Sequence, residues 1–178
     1  MNDLEHINRR KILKTGAAAA ASLPVAGFAQ AGGSDEIKVA TVGCGGRGRG
    51  ATGQTLNVPG TKLVAVADAF RDRAESAVSE FRQRYADKVD LPADRIFDGF
   101  EGYRSAIDAA DVVILTTTPG FRPQHFEYAV EQGKHVFMEK PVATDAPGIR
   151  RVLAAAKEAD KKGLKVVAVY IHPTANNR

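Results

Sequence analysis

The feature that most constrains this chain is the run Lys38 to Gly50, KVATVGCGGRGRG, in which an apolar strand pattern passes without a spacer into five glycines. Gly43-x-Gly45-x-x-Gly48 follows that strand directly and precedes a helical stretch. In such a frame the first glycine permits the tight turn and the second lets the backbone approach a pyrophosphate. The third lets helix and strand pack closely. The helix N-terminus then faces the anion, and Gly46 lies in the same loop. A glycine pattern alone is also compatible with an ordinary turn, so the context decides. The second strand pattern, KLVAVAD, ends in Asp68, twenty residues after Gly48. A carboxylate there accepts hydrogen bonds from an adenosine ribose. A competing reading, an RGRG nucleic-acid tag using Arg47 and Arg49, needs repeats in a disordered setting, and the chain has one instance inside a strand-turn-helix frame.

Between two of the glycines, Cys44 reads as a compact residue that fits a tight turn. The alternative is a redox-sensitive thiol whose pKa is lowered by the helix N-terminus. As the single cysteine of the chain it forms no internal disulfide.

From Ile37 onward, apolar runs alternate with helical periods. Strands are predicted at Ile37–Val42, Lys62–Ala67, Arg95–Phe97, Val112–Thr116, His135–Met138 and Leu164–Tyr170. Phe70, Ala74, Ala77, Val78, Phe81 and Tyr85 share one predicted helix face, and Ile149, Val152, Leu153 and Ala156 share another. Before the latter helix, Thr144 or Asp145 can cap exposed N–H groups, and Pro147 fits the first turn. The β-α-β-α order with six strands predicts an α/β fold, a doubly wound parallel sheet of the Rossmann dinucleotide-binding kind. At 178 residues there is room for one such domain.

The first thirty residues read as an address. Arg9 and Arg10 precede an Ala-rich run, and Ala29–Ala31 offers a small-x-small cleavage site. This resembles a twin-arginine export signal, so residues 1–31 are assigned as signal, 32–36 as linker, 37–170 as the nucleotide-binding domain and 171–178 as a tail. The reading implies the Tat translocation machinery as a partner and a periplasmic or otherwise exported destination. The run is too short, and too interrupted by Pro24, to be a stable membrane span. Of the formal charge of +4, the signal holds four basic and two acidic side chains, leaving 21 basic against 19 acidic elsewhere. A nearly neutral body argues against a nucleic-acid partner. No metal site is expected.

A second segment carries a family resemblance. Thr117, Thr118 and Pro119 follow the fourth strand, His125 opens the next helix, and Gly133-Lys134-His135-Val136 leads into Glu139-Lys140-Pro141. With this spacing the chain resembles the Gfo/Idh/MocA oxidoreductases over roughly Lys38 to Val169. The resemblance implies NAD as cofactor, with NADP also accommodated, a sugar, polyol or related carbonyl substrate, and Lys140 as the catalytic lysine. It also implies that Thr117 and Pro119 line the cofactor crevice, mostly through backbone groups. Glu139 either accepts from a nicotinamide ribose hydroxyl or pairs with Lys140. His125 either touches the cofactor loop or makes a local hydrogen bond, and His135 reads as structural. Arg73, with Arg71, lies just beyond Asp68, where a cation partly offsets the repulsion between Asp68 and a 2′-phosphate.

In the resembled family a second α/β domain follows the sixth strand. The chain stops eight residues after Tyr170, so that domain is expected to be absent and the chain to be the nucleotide-binding part of an enzyme. The seam it leaves could serve a homo-oligomer. Glycosidases that use NAD on a related scaffold share the resemblance. The alternative from another class is a non-catalytic nucleotide-binding or interaction module.

Overall fold

The computed structural model describes residues 36–169. The segment read as an export signal, all but the last residue of the segment read as a linker, and residues 170–178 lie outside the described residues. Six strands form one parallel sheet: β1 (Ile37–Val42), β2 (Thr61–Asp68), β3 (Ile96–Asp98), β4 (Val112–Leu115), β5 (His135–Glu139) and β6 (Val166–Val169). Their spatial order is β3-β2-β1-β4-β5-β6. The order reverses between β1 and β4, and a doubly wound sheet opens a binding crevice at the carboxyl ends of the strands flanking such a reversal.

Five helices connect the strands: α1 (Gly46–Leu56), α2 (Arg71–Arg84), α3 (Gly102–Asp108), α4 (Arg122–Glu131) and α5 (Ala146–Lys161). One face of the sheet buries Leu56, Leu63, Val66, Ala77, Val78 and Phe81 beneath α1 and α2. The other buries Val113, Leu115, Ile107, Phe126, Val136 and Val152 against α3, α4 and α5. With both faces covered, β4 reads as a continuous apolar run rather than an alternating one, and β1 is buried without a break from Val39 to Val42. Thr41 interrupts the apolar run of β1. It is fully buried, and its hydroxyl is satisfied by that of Thr52 on α1 at 2.6 Å.

The predicted strands stand, with ends moved by one or two residues. The predicted helix faces need correction. Phe70 is 57% exposed, because it precedes the first turn of α2 instead of lying on its buried side. On α5, Ile149 and Leu153 are 40% and 58% exposed, whereas Gly148, Val152, Ala155 and Ala159 face inward. The reason is close approach: a Cβ added at Gly148 would lie 2.9 Å from the Ala143 Cβ and 3.3 Å from Pro123, so this side of α5 must be small. Asp145 is the residue that caps α5, accepting from the Gly148 N–H at 2.7 Å. Such a cap stabilises a helix by about 1 kcal/mol. Among the described residues no helix is long and apolar enough to cross a membrane.

Candidate functional site

The glycine loop has the geometry its spacing implies. Gly43 adopts φ +97°, and a Cβ there would lie 2.7 Å from the Thr117 nitrogen. Gly48 sits closer still: its Cβ would fall 1.9 Å from the Gly43 carbonyl oxygen. By contrast, a Cβ at Gly45 or Gly46 would meet nothing within 4 Å. The loop is therefore packed hard against β4 on one side and open on the other, at the N-terminus of α1. Such an opening at a helix N-terminus suits an anion, because backbone N–H groups and the helix dipole favour negative charge there. The Thr116 hydroxyl fixes the loop by donating to the Gly43 carbonyl at 2.6 Å.

Asp68 stands at the carboxyl end of β2 and is partly buried. One oxygen accepts from the Cys44 N–H at 2.7 Å and the other from the Phe70 N–H at 3.1 Å. The carboxylate is thus oriented by the glycine loop itself, with acceptor capacity left on both oxygens for ribose hydroxyls. Arg73 is exposed and lies over the Phe70 ring, 5.0 Å from its centroid. Arg71 donates to Glu75 at 2.8 Å and to the Ile96 carbonyl at 2.9 Å.

Cys44 is buried against the Ala67 carbonyl. Burial pushes its thiol up to about 12, with Asp68 acting in the same direction and Arg49 opposing. A thiolate is the reactive form, so this cysteine serves as the compact turn residue and not as a redox-sensitive thiol. The two arginines of the loop are committed within the domain. Arg49 bonds the Cys44 carbonyl, Glu80 and Ser76. Arg47 pairs with Glu139 at 2.5 Å.

That last contact reveals a partner for Glu139 that the sequence reading did not consider. Glu139 ends β5 and is 3% exposed, so its carboxylate is buried under the cation from α1. Lys140 follows it, exposed, and the peptide to Pro141 is cis. His125, 5% exposed, shares a hydrogen bond between Nδ1 and the Thr117 hydroxyl at 3.1 Å, and its ring lies against that of Tyr103 at 4.2 Å between centroids, tilted by 31°. Burial pulls His125 down to about 4, with Glu101 opposing and Arg122 and Arg104 adding to the fall. It is a neutral imidazole at pH 7. His135 is structural as read, its Nδ1 accepting from the Lys165 N–H at 2.9 Å.

Thr117, Asp68 and His125 line one crevice together with Phe100, Tyr103 and Phe121. Phe100 and Phe121 stack at 5.6 Å on its rim. These aromatic residues were not read from the sequence. Phe100 and Phe121 come from the loops after β3 and β4, and Tyr103 from the first turn of α3, segments far apart in the chain that no local pattern brings together. Arg122 was also missed. It is buried at the start of α4 and donates to the carbonyls of Thr117, Glu139 and Pro141. Burial lowers its pKa, opposed by the neighbouring Glu139. Its Nε–H is buried without a partner among the described residues, which costs about 1–3 kcal/mol. Pro119 lies on the same loop, partly buried.

Comparison with known proteins bears on this geometry. Residues 37–167 match the family described as "Oxidoreductase family, NAD-binding Rossmann fold", the Gfo/Idh/MocA group. Over 130 residues the chain is 30% identical to glycosyl hydrolase family 109 protein 1 of Bacteroides thetaiotaomicron, covering 71% of this chain and 27% of that one. It is 31% identical over 134 residues to inositol 2-dehydrogenase of Klebsiella pneumoniae, covering 73% and 36%. A variant of the 3-ketoreductase KijD10 from Actinomadura kijaniata, crystallised with TDP-benzene and NADP, superposes with a TM-score of 0.58. It is 25% identical, and the match covers 78% of this chain and 39% of that one. The chain thus spans roughly a quarter to two fifths of these relatives. With the family match covering the whole sheet up to β6, the chain belongs to the Gfo/Idh/MocA oxidoreductases, and residues 37–167 are its NAD-binding Rossmann domain.

Proposed function

We propose that this chain is the nucleotide-binding part of an exported oxidoreductase that uses NAD in preference to NADP and acts on a sugar, a polyol or a related carbonyl compound. The observation that carries the reading is the Asp68 carboxylate, oriented by the Cys44 and Phe70 N–H groups beside the open Gly45–Gly46 face of the loop. Asp68 accepts from both hydroxyls of the adenosine ribose and repels a 2′-phosphate. Arg71 is engaged by Glu75 and the Ile96 carbonyl, which leaves Arg73 as the cation beside that position. The backbone of Gly45 and Gly46 holds the pyrophosphate, with Thr117, Pro119 and His125 along the crevice.

When bound, the nicotinamide supplies the hydride acceptor or donor. Lys140, exposed just beyond β5, donates a hydrogen bond to the reacting oxygen of the substrate and offsets the charge that develops there. Glu139, held by Arg47, keeps one oxygen free to accept from the second ribose.

A second reading follows from the glycosyl hydrolase family 109 relatives. In it the same domain serves a glycosidase.

Calorimetric titration of the full chain with NAD and with NADP tests the binding half. Saturable heat is expected with both and the tighter fit with NAD, and no binding of either removes the proposal. Reduction of NAD by inositols or aldoses, set against release of the leaving group from aryl glycosides, separates the two reaction classes.

A further inference from the structure

Arg122 makes contacts that nucleotide binding does not explain. Its side chain is 4% exposed, and Nη1 donates to the carbonyl oxygens of Glu139, at 2.5 Å, and of Pro141. These are the residues immediately before and after Lys140. Nη2 donates to the carbonyl of Thr117, in the loop that borders the nucleotide crevice. One planar group therefore bridges the loop after β4 and the loop after β5.

The chemistry of the residue fits that task. Burying a cation is costly unless it is paired and hydrogen-bonded. An apolar side chain of the same length would fill the space without leaving Nε–H unpartnered. What it would lack is a rigid fork of donors able to hold separate carbonyls in fixed relation, which lysine also lacks. The Glu139 carboxylate, meanwhile, is held by Arg47 on α1. The end of β5 is thus fixed twice, by its side chain to α1 and by its main chain to α4.

We infer that Arg122 is a positioning residue that fixes the backbone on both sides of Lys140 relative to the Thr117 loop, so that the place of the lysine is tied to the nucleotide crevice. The role given to Lys140 rests on the proposed function, whereas the tie itself is a property of the nucleotide-free chain.

Two variants of the full chain, Arg122→Met and Arg122→Lys, test it by amide NMR without nucleotide and by NADH fluorescence titration. The amides of Thr118, Lys140 and Val142 belong to the peptide groups whose carbonyls Arg122 holds, so their nitrogen resonances are expected to move together in Arg122→Met, while those of Val39–Val42 and Leu63–Ala67 stay in place. Arg122→Lys keeps the charge, and it is expected to restore thermal stability more fully than the resonance position of Lys140. NADH is expected to shift Thr118 and Lys140 together in the wild type and only Thr118 in Arg122→Met. Unchanged resonances at Lys140 and Val142 overturn the inference. So does a uniform change across the whole sheet, which marks a merely structural arginine. If Arg122→Met does not fold, the comparison of Arg122→Lys with wild type decides. Failure of the wild type to bind NADH removes the proposed function, and the nucleotide-free comparison still decides whether Arg122 ties the two loops.

Discussion

Gly48 and Gly50 lie two residues apart on α1 and should respond to alanine in opposite ways. At Gly50 a Cβ would meet nothing within 4 Å, so Gly50→Ala gains helix propensity and loses unfolded-state entropy, a stabilisation of about 0.5–1 kcal/mol. At Gly48 the added carbon would fall 1.9 Å from the Gly43 oxygen and 2.7 Å from the Thr116 hydroxyl oxygen. Neither is the end of a long, flexible side chain, so α1 must draw back from β1 or the loop must open. Overpacking of this kind costs about 1–3 kcal/mol. Displacing the Gly43 carbonyl also breaks its 2.6 Å hydrogen bond from Thr116, worth about 1 kcal/mol. Against the same helical gain, Gly48→Ala should lose about 1–3 kcal/mol net. At about 2–4 °C per kcal/mol, Tm should fall by roughly 2–12 °C. Thermal melts followed by circular dichroism, with NADH titration alongside, check both variants. Gly48→Ala should also bind NADH more weakly, because the shifted carbonyl reshapes the cradle. A Gly48→Ala protein as stable as wild type, with unaltered affinity, would refute the claim that the third glycine exists for close approach.

Asp68→Ala should weaken NAD binding by about 10- to 100-fold, the worth of hydrogen bonds to a charged acceptor; calorimetry measures this, and a wild-type preference for NADP would show that Asp68 has been misassigned. His125 should make stability fall with acid. Its folded value of about 4 lies below an unfolded value of about 6.5, so the unfolded chain binds the extra proton between these pH values, and the contribution present above pH 6.5 is lost as pH falls to 4. Urea titrations across that range should show His125→Gln losing less stability than wild type; parallel slopes would count against a buried neutral imidazole. Replacing Arg9 and Arg10 with lysine should leave unprocessed precursor in the cytoplasm, as read by fractionation and immunoblotting, and undiminished export would remove the twin-arginine reading.

Local sequence carried most of the sheet and the nucleotide loop. Buried parallel strands are short continuous apolar runs, and Gly43, Gly45 and Gly48, set directly between a strand pattern and a helical stretch, fall at the spacing that a strand-turn-helix with an open anion face uses. Asp68 was legible for the same reason, since its place at the end of β2 depends on strand length alone. Which side of α5 faces inward was not legible. Ile149 and Leu153 are large apolar residues, yet Pro123 and Ala143 crowd the start of the helix so closely that only glycine fits at 148, and this sets Val152, Ala155 and Ala159 inward instead. Nor could local pattern pair Arg47 with Glu139, 92 positions away, or turn Arg122 inward onto three carbonyls. Hydrophobic period and turn chemistry act over a few residues and are written into neighbours in the chain. A half-buried ion pair or a guanidinium clamp depends on groups that come together only when β1, β4 and β5 lie side by side, and that adjacency is decided by the tertiary fold.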